Sequence, residues 1–448
     1  MQRLLLFLGM LLLAFSCEKS APDPEPEPGP EPEVIDPVET STPPNILLII
    51  ADDLGVDAMP GYPQGGTKPY TPTLNQLAQN GLRMTNVWAY PVCSPTRAAI
   101  LTGKYGLRTG VLNAESAGQI SPSERIIQQI LAEDHPTTFA TSIIGKWHLS
   151  ARNQLSVPEQ MGVGHYAGLF TGGVDDYSSW TLTMDGQNSP QDSYITTALT
   201  DRALDWIGAQ STPWFCWLAY NAPHTPFHLP PAALHHQGAL DDHPDAIANN
   251  PMPYYMAMIE SLDTEIGRLL EGIPAEEREN TLIIFLGDNG SPNAVTQSPF
   301  EQGRAKGSLY QGGVHVPMIV AGKGVERRGQ EDALISVVDL FNTLLEAAGS
   351  TPQAGVDSQS FYPLFTQAAE FSRPYIMTEI LGDRPNRSGY AIRNRQYKYI
   401  VFDNGRTALY HLVEDEREVE NLLESDLTDD AQAAYAELTA AAAELRGD

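Results

Sequence analysis

Asn45-Ile46-Leu47-Leu48-Ile49-Ile50-Ala51-Asp52-Asp53 is a β-type apolar run that stops abruptly on two carboxylates. A run without polar alternation belongs to a strand buried on both faces, as in the parallel sheets of α/β proteins. Such sheets build their sites at the carboxyl ends of the strands, where Asp52 and Asp53 stand. The event recurs downstream: Thr141–Ile144 runs into Gly145-Lys146-Trp147-His148, Trp214–Tyr220 into Asn221-Ala222-Pro223-His224, and Thr281–Leu286 into Gly287-Asp288-Asn289-Gly290. Helical stretches lie between, including Thr73–Gln79 capped by Gly81 and Tyr254–Leu270. This order predicts an α/β fold over residues 45–349, a large doubly wound mixed sheet flanked by helices. Beyond Gly349 the character changes. Pro374–Ile380, Gly389–Phe402 and Thr407–Leu412 read as short strands with turns at Asn394 and Asn404-Gly405, and an Ala/Glu/Leu helix begins near Thr428. Residues 350–448 are therefore expected to form a smaller antiparallel α+β domain.

Upstream of Asn45 the chain has a different nature. Residues 1–17 carry one base (Arg3), an apolar run from Leu4 to Phe15, and then Ser16-Cys17. This fits an export signal too short to span a membrane, and its end resembles a bacterial lipobox, with Ala14 where a larger aliphatic is usual. Lipidation at Cys17 and a membrane anchor are the expectation; the alternative is an ordinary cleaved signal. Residues 18–44 hold nine prolines and eight acidic residues against one Lys. Such a tract buries too little to fold and reads as a stiff polyproline-like tether. The chain would then be an exported bacterial lipoprotein, held at a membrane in the periplasm or at the cell surface.

Only Cys93 and Cys216 remain in the body, so disulfides do not hold it together. Cys216, inside the apolar run from Trp214, reads as core filling. The formal net charge of −29 argues against nucleic acid as a partner and against long-range attraction of polyanions. An anionic substrate needs a local cationic pocket.

Cys93-Ser94-Pro95-Thr96-Arg97, followed by Leu101-Thr102-Gly103-Lys104 and Arg108-Thr109-Gly110, resembles the signature of type I sulfatases of the alkaline phosphatase-like superfamily. The partner motifs Asp52-Asp53, Gly145-Lys146-Trp147-His148, Ala222-Pro223-His224 and Gly287-Asp288-Asn289-Gly290 follow in the family's order. The resemblance runs from about Asn45 to Leu422, including Ala391-Ile392-Arg393, Tyr397-Lys398-Tyr399 and Leu409-Tyr410. It implies that a maturation enzyme oxidises Cys93 to formylglycine, whose hydrate attacks the sulfur of a sulfate ester and gives a sulfated enzyme. The second hydroxyl lets the hydrate expel sulfate by collapsing to the aldehyde.

The same resemblance implies a metal held by Asp52, Asp53, Asp288 and Asn289 together with the modified Cys93. A set of hard oxygen donors suits Ca²⁺, or Mg²⁺, better than Zn²⁺. Arg97, one helical turn beyond Cys93, would position the nucleophile. Lys146 and Lys306 would bind sulfate, His148 would take a proton as sulfate leaves, and His224 would donate one to the departing alcohol. The substrate class is a sulfated carbohydrate or aryl sulfate. A phosphonate or phosphate diester hydrolase of the same superfamily is the alternative, and a noncatalytic binder of anionic glycans a third reading. Where many relatives carry E-G-G-x-R-V-P, this chain has Gln311-Gly312-Gly313-Val314-His315-Val316-Pro317, a departure expected to alter the pocket wall. Asp175, Asp176, Trp180, His228, His235 and His236 are further wall candidates, each equally readable as a turn or surface residue.

Overall fold

A computed structural model describes residues 43–447, apart from 116–117, 136–138, 368–370 and 372. The signal segment, Cys17 and all but the last two residues of the tether lie outside the described residues. The first strand, β1 (Asn45–Ala51), is buried at every position. The other strands of its sheet are β2 (Leu82–Trp88), β3 (Ala140–Lys146), β4 (His165–Leu169), β5 (Trp180–Met184), β6 (Gln187–Gln191), β7 (Trp214–Ala219), β8 (Thr281–Gly287), β9 (Met318–Gly322) and β10 (Gly329–Ser336). They form ten strands in the order β10-β2-β9-β8-β1-β7-β3-β4-β5-β6. The run β8-β1-β7-β3-β4 is parallel throughout, whereas β9, β5 and β6 pair antiparallel, so the expected mixed sheet is present.

Alternate residues of β1 feed two different cores. Ile46, Leu48 and Ile50 join the cluster on one face, and Leu47, Ile49 and Ala51 the cluster on the other. Helices cover both faces, which is why the run shows no polar alternation. The helix Pro72–Asn80 ends where Gly81 was expected to cap it. Gly81 is nevertheless extended (φ −146°). Glycine is required there because a Cβ would meet the Val320 carbonyl oxygen at 2.0 Å.

The second sheet holds β11 (Ile376–Ile380), β12 (Gly389–Arg393), β13 (Tyr397–Phe402) and β14 (Thr407–His411), antiparallel and in sequential order. Asn394 breaks the expected Gly389–Phe402 strand by accepting from the Gln396 and Tyr397 amides. The helix Asp429–Arg446 follows, its amino end capped by the Thr428 side chain. Here too the faces divide: Ala391, Ile400 and Phe402 pack on Trp88, Leu309 and Tyr310, while Ile392, Tyr399 and Leu409 face the larger cluster. Both sheets belong to one compact unit, Pro43–Asp448. No helix among the described residues is long and apolar enough to cross a membrane.

Candidate active site

The parallel strands deliver their polar residues to one place. Asp52 and Asp53 follow β1, Lys146 ends β3, Asp288 and Asn289 follow β8, and His224 lies just beyond β7. The Cys93–Thr102 helix begins among them, buried at all ten positions. Asp52, Asp53, Asp288 and Asn289 are each no more than 1% exposed. Burying several carboxylates together is costly unless each finds a counter-charge.

The counter-charges are the cations singled out in the sequence. Arg97 donates to Asp288 Oδ2 at 2.7 Å and to the Lys146 carbonyl at 2.9 Å. Lys146 Nζ lies 2.5 Å from Asp52 Oδ2, and Lys306 Nζ 2.5 Å from Asp53 Oδ1. Asn289 donates to Asp53 Oδ1 at 2.9 Å, and the Asp53 amide donates to Asp288 Oδ1 at 3.0 Å. Burial alone would raise Asp53, but Lys306, His224 and Lys146 hold it at about 2. Burial, and then the adjacent Asp288 carboxylate, push Asp52 up to about 7 against the pull of Lys146.

Cys93 Sγ lies 3.3 Å from Nδ1 of His148, whose backbone carbonyl accepts from the Ser94 hydroxyl at 2.7 Å. The ring lies over the Gly172 backbone, where a Cβ would meet its Cε1 at 2.3 Å. Burial, followed by the nearby cations Lys146, Arg97 and Lys306, holds the imidazolium pKa down at about 2. His148 is therefore neutral at physiological pH, the form that accepts a proton. His224 Nε2 stands 3.8 Å from Asp53 Oδ2, and its Nδ1 contacts the Thr225 carbonyl at 2.7 Å.

The donor set suits a hard cation. Asp52, Cys93 and Asp288 bring ligand atoms within 4.8 Å of one another, as do Asp52, Asp53 and His224. Asp52 Oδ1 and Asn289 Oδ1 are buried acceptors with no hydrogen-bond donor. Buried oxygen atoms left without a donor in this way, among carboxylates, are what Ca²⁺ or Mg²⁺ coordinates.

Two family models match, one for sulfatases over residues 44–350 and one for the N-sulphoglucosamine sulphohydrolase C-terminal region over residues 304–445. The chain belongs to the sulfatase family. Among sulfatases it is similar to YdeN of Escherichia coli, 30% identical over 370 residues that cover 70% of this chain and 64% of that protein. Human N-acetylgalactosamine-6-sulfatase is 28% identical over 375 residues, or 74% of this chain and 67% of that one. The chain thus spans under two thirds of YdeN. Its fold is like that of Ps i-CgsB, solved in complex with k-i-k-neocarrahexaose, with a TM-score of 0.76 and 24% identity over 90% of this chain and 93% of that one.

Around this sulfatase centre the wall candidates separate. Asp175 and Trp180 line a cleft of about 310 Å³ that also includes Gly173, against which His224 packs. Asp176 accepts from the Ser178 amide in a turn, and the His236 amide donates to Glu260. His235 is buried, and its Nδ1 accepts from the Gln237 amide at 3.3 Å. His228 packs against Tyr177, ring centroids 4.1 Å apart at a 33° tilt, with Tyr194 Oη 3.1 Å from its Nε2. The departure at Gln311–Pro317 does not alter the catalytic wall as expected. Gln311 accepts from Trp88 Nε1 at 2.7 Å and His315 Nε2 meets the Thr85 carbonyl at 2.9 Å. Both side chains line a separate cavity with Arg393 and Glu416, because β12–β14 cover that side of β2.

Sequence reasoning missed Tyr177. Its hydroxyl, 2.6 Å from the His224 carbonyl and 2.8 Å from that of Asn221, ties down the segment bearing His224. Tyr255 does the same for β1, donating to the Asp53 carbonyl at 2.7 Å. Neither lies near a motif, so no local signal marks it.

Proposed function

We propose that this protein hydrolyses a sulfuric ester of a sulfated carbohydrate or aryl alcohol, releasing inorganic sulfate. The observation that carries the reading is the placement of Cys93 at a helix start, 3.3 Å from a neutral His148 and within one buried cluster of carboxylates and cations. The family and the names of its relatives support the same chemistry.

In this reading Cys93 is oxidised to formylglycine by a maturation enzyme, and the hydrated aldehyde supplies the nucleophilic oxygen. Asp52, Asp53, Asp288 and Asn289 would hold Ca²⁺, which when bound lowers the cost of negative charge on that oxygen. Arg97, locked between Asp288 and the Lys146 carbonyl, fixes the modified residue in place. Lys146 and Lys306, whose ammoniums rest on Asp52 and Asp53, would offset the charge that builds on the sulfonyl oxygens. His224, 19% exposed at its side chain, protonates the departing alcohol from the open side. His148 takes the proton from the second hydroxyl as sulfate is expelled. We further propose, from residues 1–44, export as a lipoprotein anchored through Cys17 on a Pro/Glu tether; fatty-acid labelling that is lost in Cys17→Ala tests this.

The deciding experiment is sulfate release by protein matured with a formylglycine-generating enzyme, on a panel of sulfated sugars and aryl sulfates with matched phosphate esters. Faster release of sulfate than phosphate is expected. Preference for phosphate or phosphonate diesters would reassign the chemistry, and turnover of neither would leave only glycan binding.

A further inference from the structure

In a chain with 56 acidic and 27 basic residues, one cleft inverts the balance. A cleft of about 670 Å³ is lined by Arg304, Lys306, Arg387 and Arg406 with Asn293 and Asn386, and among the described residues no carboxylate lines it. Lys306 ties it to the catalytic centre, since its ammonium is on Asp53. Cations gathered on one cleft of a strongly acidic chain make it a local attractor for an anion.

The four are not equivalent. Arg304 is consumed internally: its guanidinium donates to the Arg417 and Glu418 carbonyls and stacks on Tyr310 at 4.5 Å. Arg387 and Arg406 are the ones with donors to offer. Arg387 is 62% exposed and shares Asp383, 3.7 Å away, with Arg384. Arg406 lies over the Phe402 ring at 4.0 Å and donates to Tyr310 Oη at 3.4 Å, with no carboxylate against it among the described residues. The two turns that carry them are joined: the Asn404 amide donates to the Pro385 carbonyl and the Asp403 amide to that of Ser388. Joined turns hold the two backbones that carry these side chains together, which lowers the ordering cost of binding.

We propose that this cleft is a second anion subsite, in which Arg387 and Arg406 hold a carboxylate or sulfate on a sugar adjoining the one whose ester is cleaved. The substrate is then an oligosaccharide with at least two anionic groups rather than an isolated sulfated sugar. This rests on the sulfatase reading, but it is tested without turnover.

The test is calorimetric binding to Cys93→Ala protein of three oligosaccharides of equal length: one with a single sulfate, one with a second sulfate on the adjoining sugar, and one with a uronic carboxylate there. A second anionic group should tighten binding about tenfold, the scale of one or two charge-assisted bonds. The advantage should shrink as salt rises from 50 to 300 mM. It should vanish in Arg387→Gln/Arg406→Gln and become a penalty in Arg387→Glu, an exposed substitution that threatens folding little. Arg125→Gln, on another surface, should keep it. Gain with only one of the two dianionic ligands identifies the group that binds. Equal affinity for all three ligands, or an advantage that survives the double substitution, overturns the proposal. Failure of the sulfatase reading would appear separately, as matured native protein that releases no sulfate.

Discussion

Cys93 Sγ and His148 Nδ1 approach to 3.3 Å although the residues are 55 apart in sequence, one starting a helix and the other following β3. The contact puts an uncharged base beside the Cys93 sulfur, the atom proposed to be modified. His148→Ala should lower turnover by roughly 10²- to 10⁴-fold, the usual worth of a positioned base. Sulfate release is common to all substrates, so the loss should vary little from sugar sulfates to activated aryl sulfates. His224→Ala should instead hurt sugar sulfates far more, because a phenolate leaves unaided. Steady-state rates across a leaving-group series check both; equal losses for His224→Ala would move the acid role elsewhere.

Cys93 should carry formylglycine when the protein is made with a maturation enzyme, seen as loss of the thiol in the mass of its peptide. Cys93→Ser should lose sustained turnover, since a single hydroxyl cannot collapse to release sulfate. An intact thiol in fully active protein would refute the mechanism.

Asp288 is both a candidate cation ligand and the partner of the buried Arg97 guanidinium. Asp288→Asn keeps the shape and removes the charge. Breaking such a pair costs about 3–5 kcal/mol, so the melting temperature should drop by many degrees. The rise in melting temperature that Ca²⁺ should give the native protein should be weakened in the variant. Calcium that stabilises both proteins equally would exclude Asp288 as a ligand.

Tyr177 holds the His224 carbonyl, so its effect on turnover should run through His224. Tyr177→Phe should cost only about 1 kcal/mol of stability. It should lower kcat on sugar sulfates more than on activated aryl sulfates, repeating the His224→Ala pattern in milder form. An even loss across substrates would mark a purely structural role.

His315 sets an acid limit on stability. Burial, with Arg393 and Lys398 adding to it, pushes its pKa down to about 4 despite the Thr85 carbonyl on its ring. The folded protein thus refuses a proton that the unfolded chain, with an ordinary histidine pKa near 6.5, accepts. Its contribution is present above pH 6.5 and is lost as pH falls through 4, on the order of 3 kcal/mol in all. His315→Gln should lose less stability than the native protein between pH 6.5 and 4, as read by denaturant unfolding. Parallel profiles would show that the histidine does not titrate in that window.

The sequence alone determined the strand ends and the chemistry placed on them. β1, β7 and β8 are buried along their whole length, so their apolar runs are nearly unbroken and their polar endings stand out; in β3 the run shortens to Ile143-Ile144 before Gly145-Lys146. The Cys93 motif is local to one helix, and its arginine follows from helical spacing. The edge strand β6 was not legible: it is short and almost wholly exposed, with Pro190 inside it, because antiparallel pairing at a sheet edge needs no apolar pattern. Tertiary structure alone decided what the motifs meet. It set which lysine pairs with which aspartate, since β1 lies between β7 and β8 only through long crossovers. It also placed Tyr177 under His224 and moved the Gln311–Pro317 departure away from the catalytic wall. The cleft of Lys306, Arg387 and Arg406 likewise exists only because two turns of the second sheet fold back beside the first. Spacing along a chain fixes neighbours within one element; contacts between elements hundreds of residues apart are set by how the sheets pack.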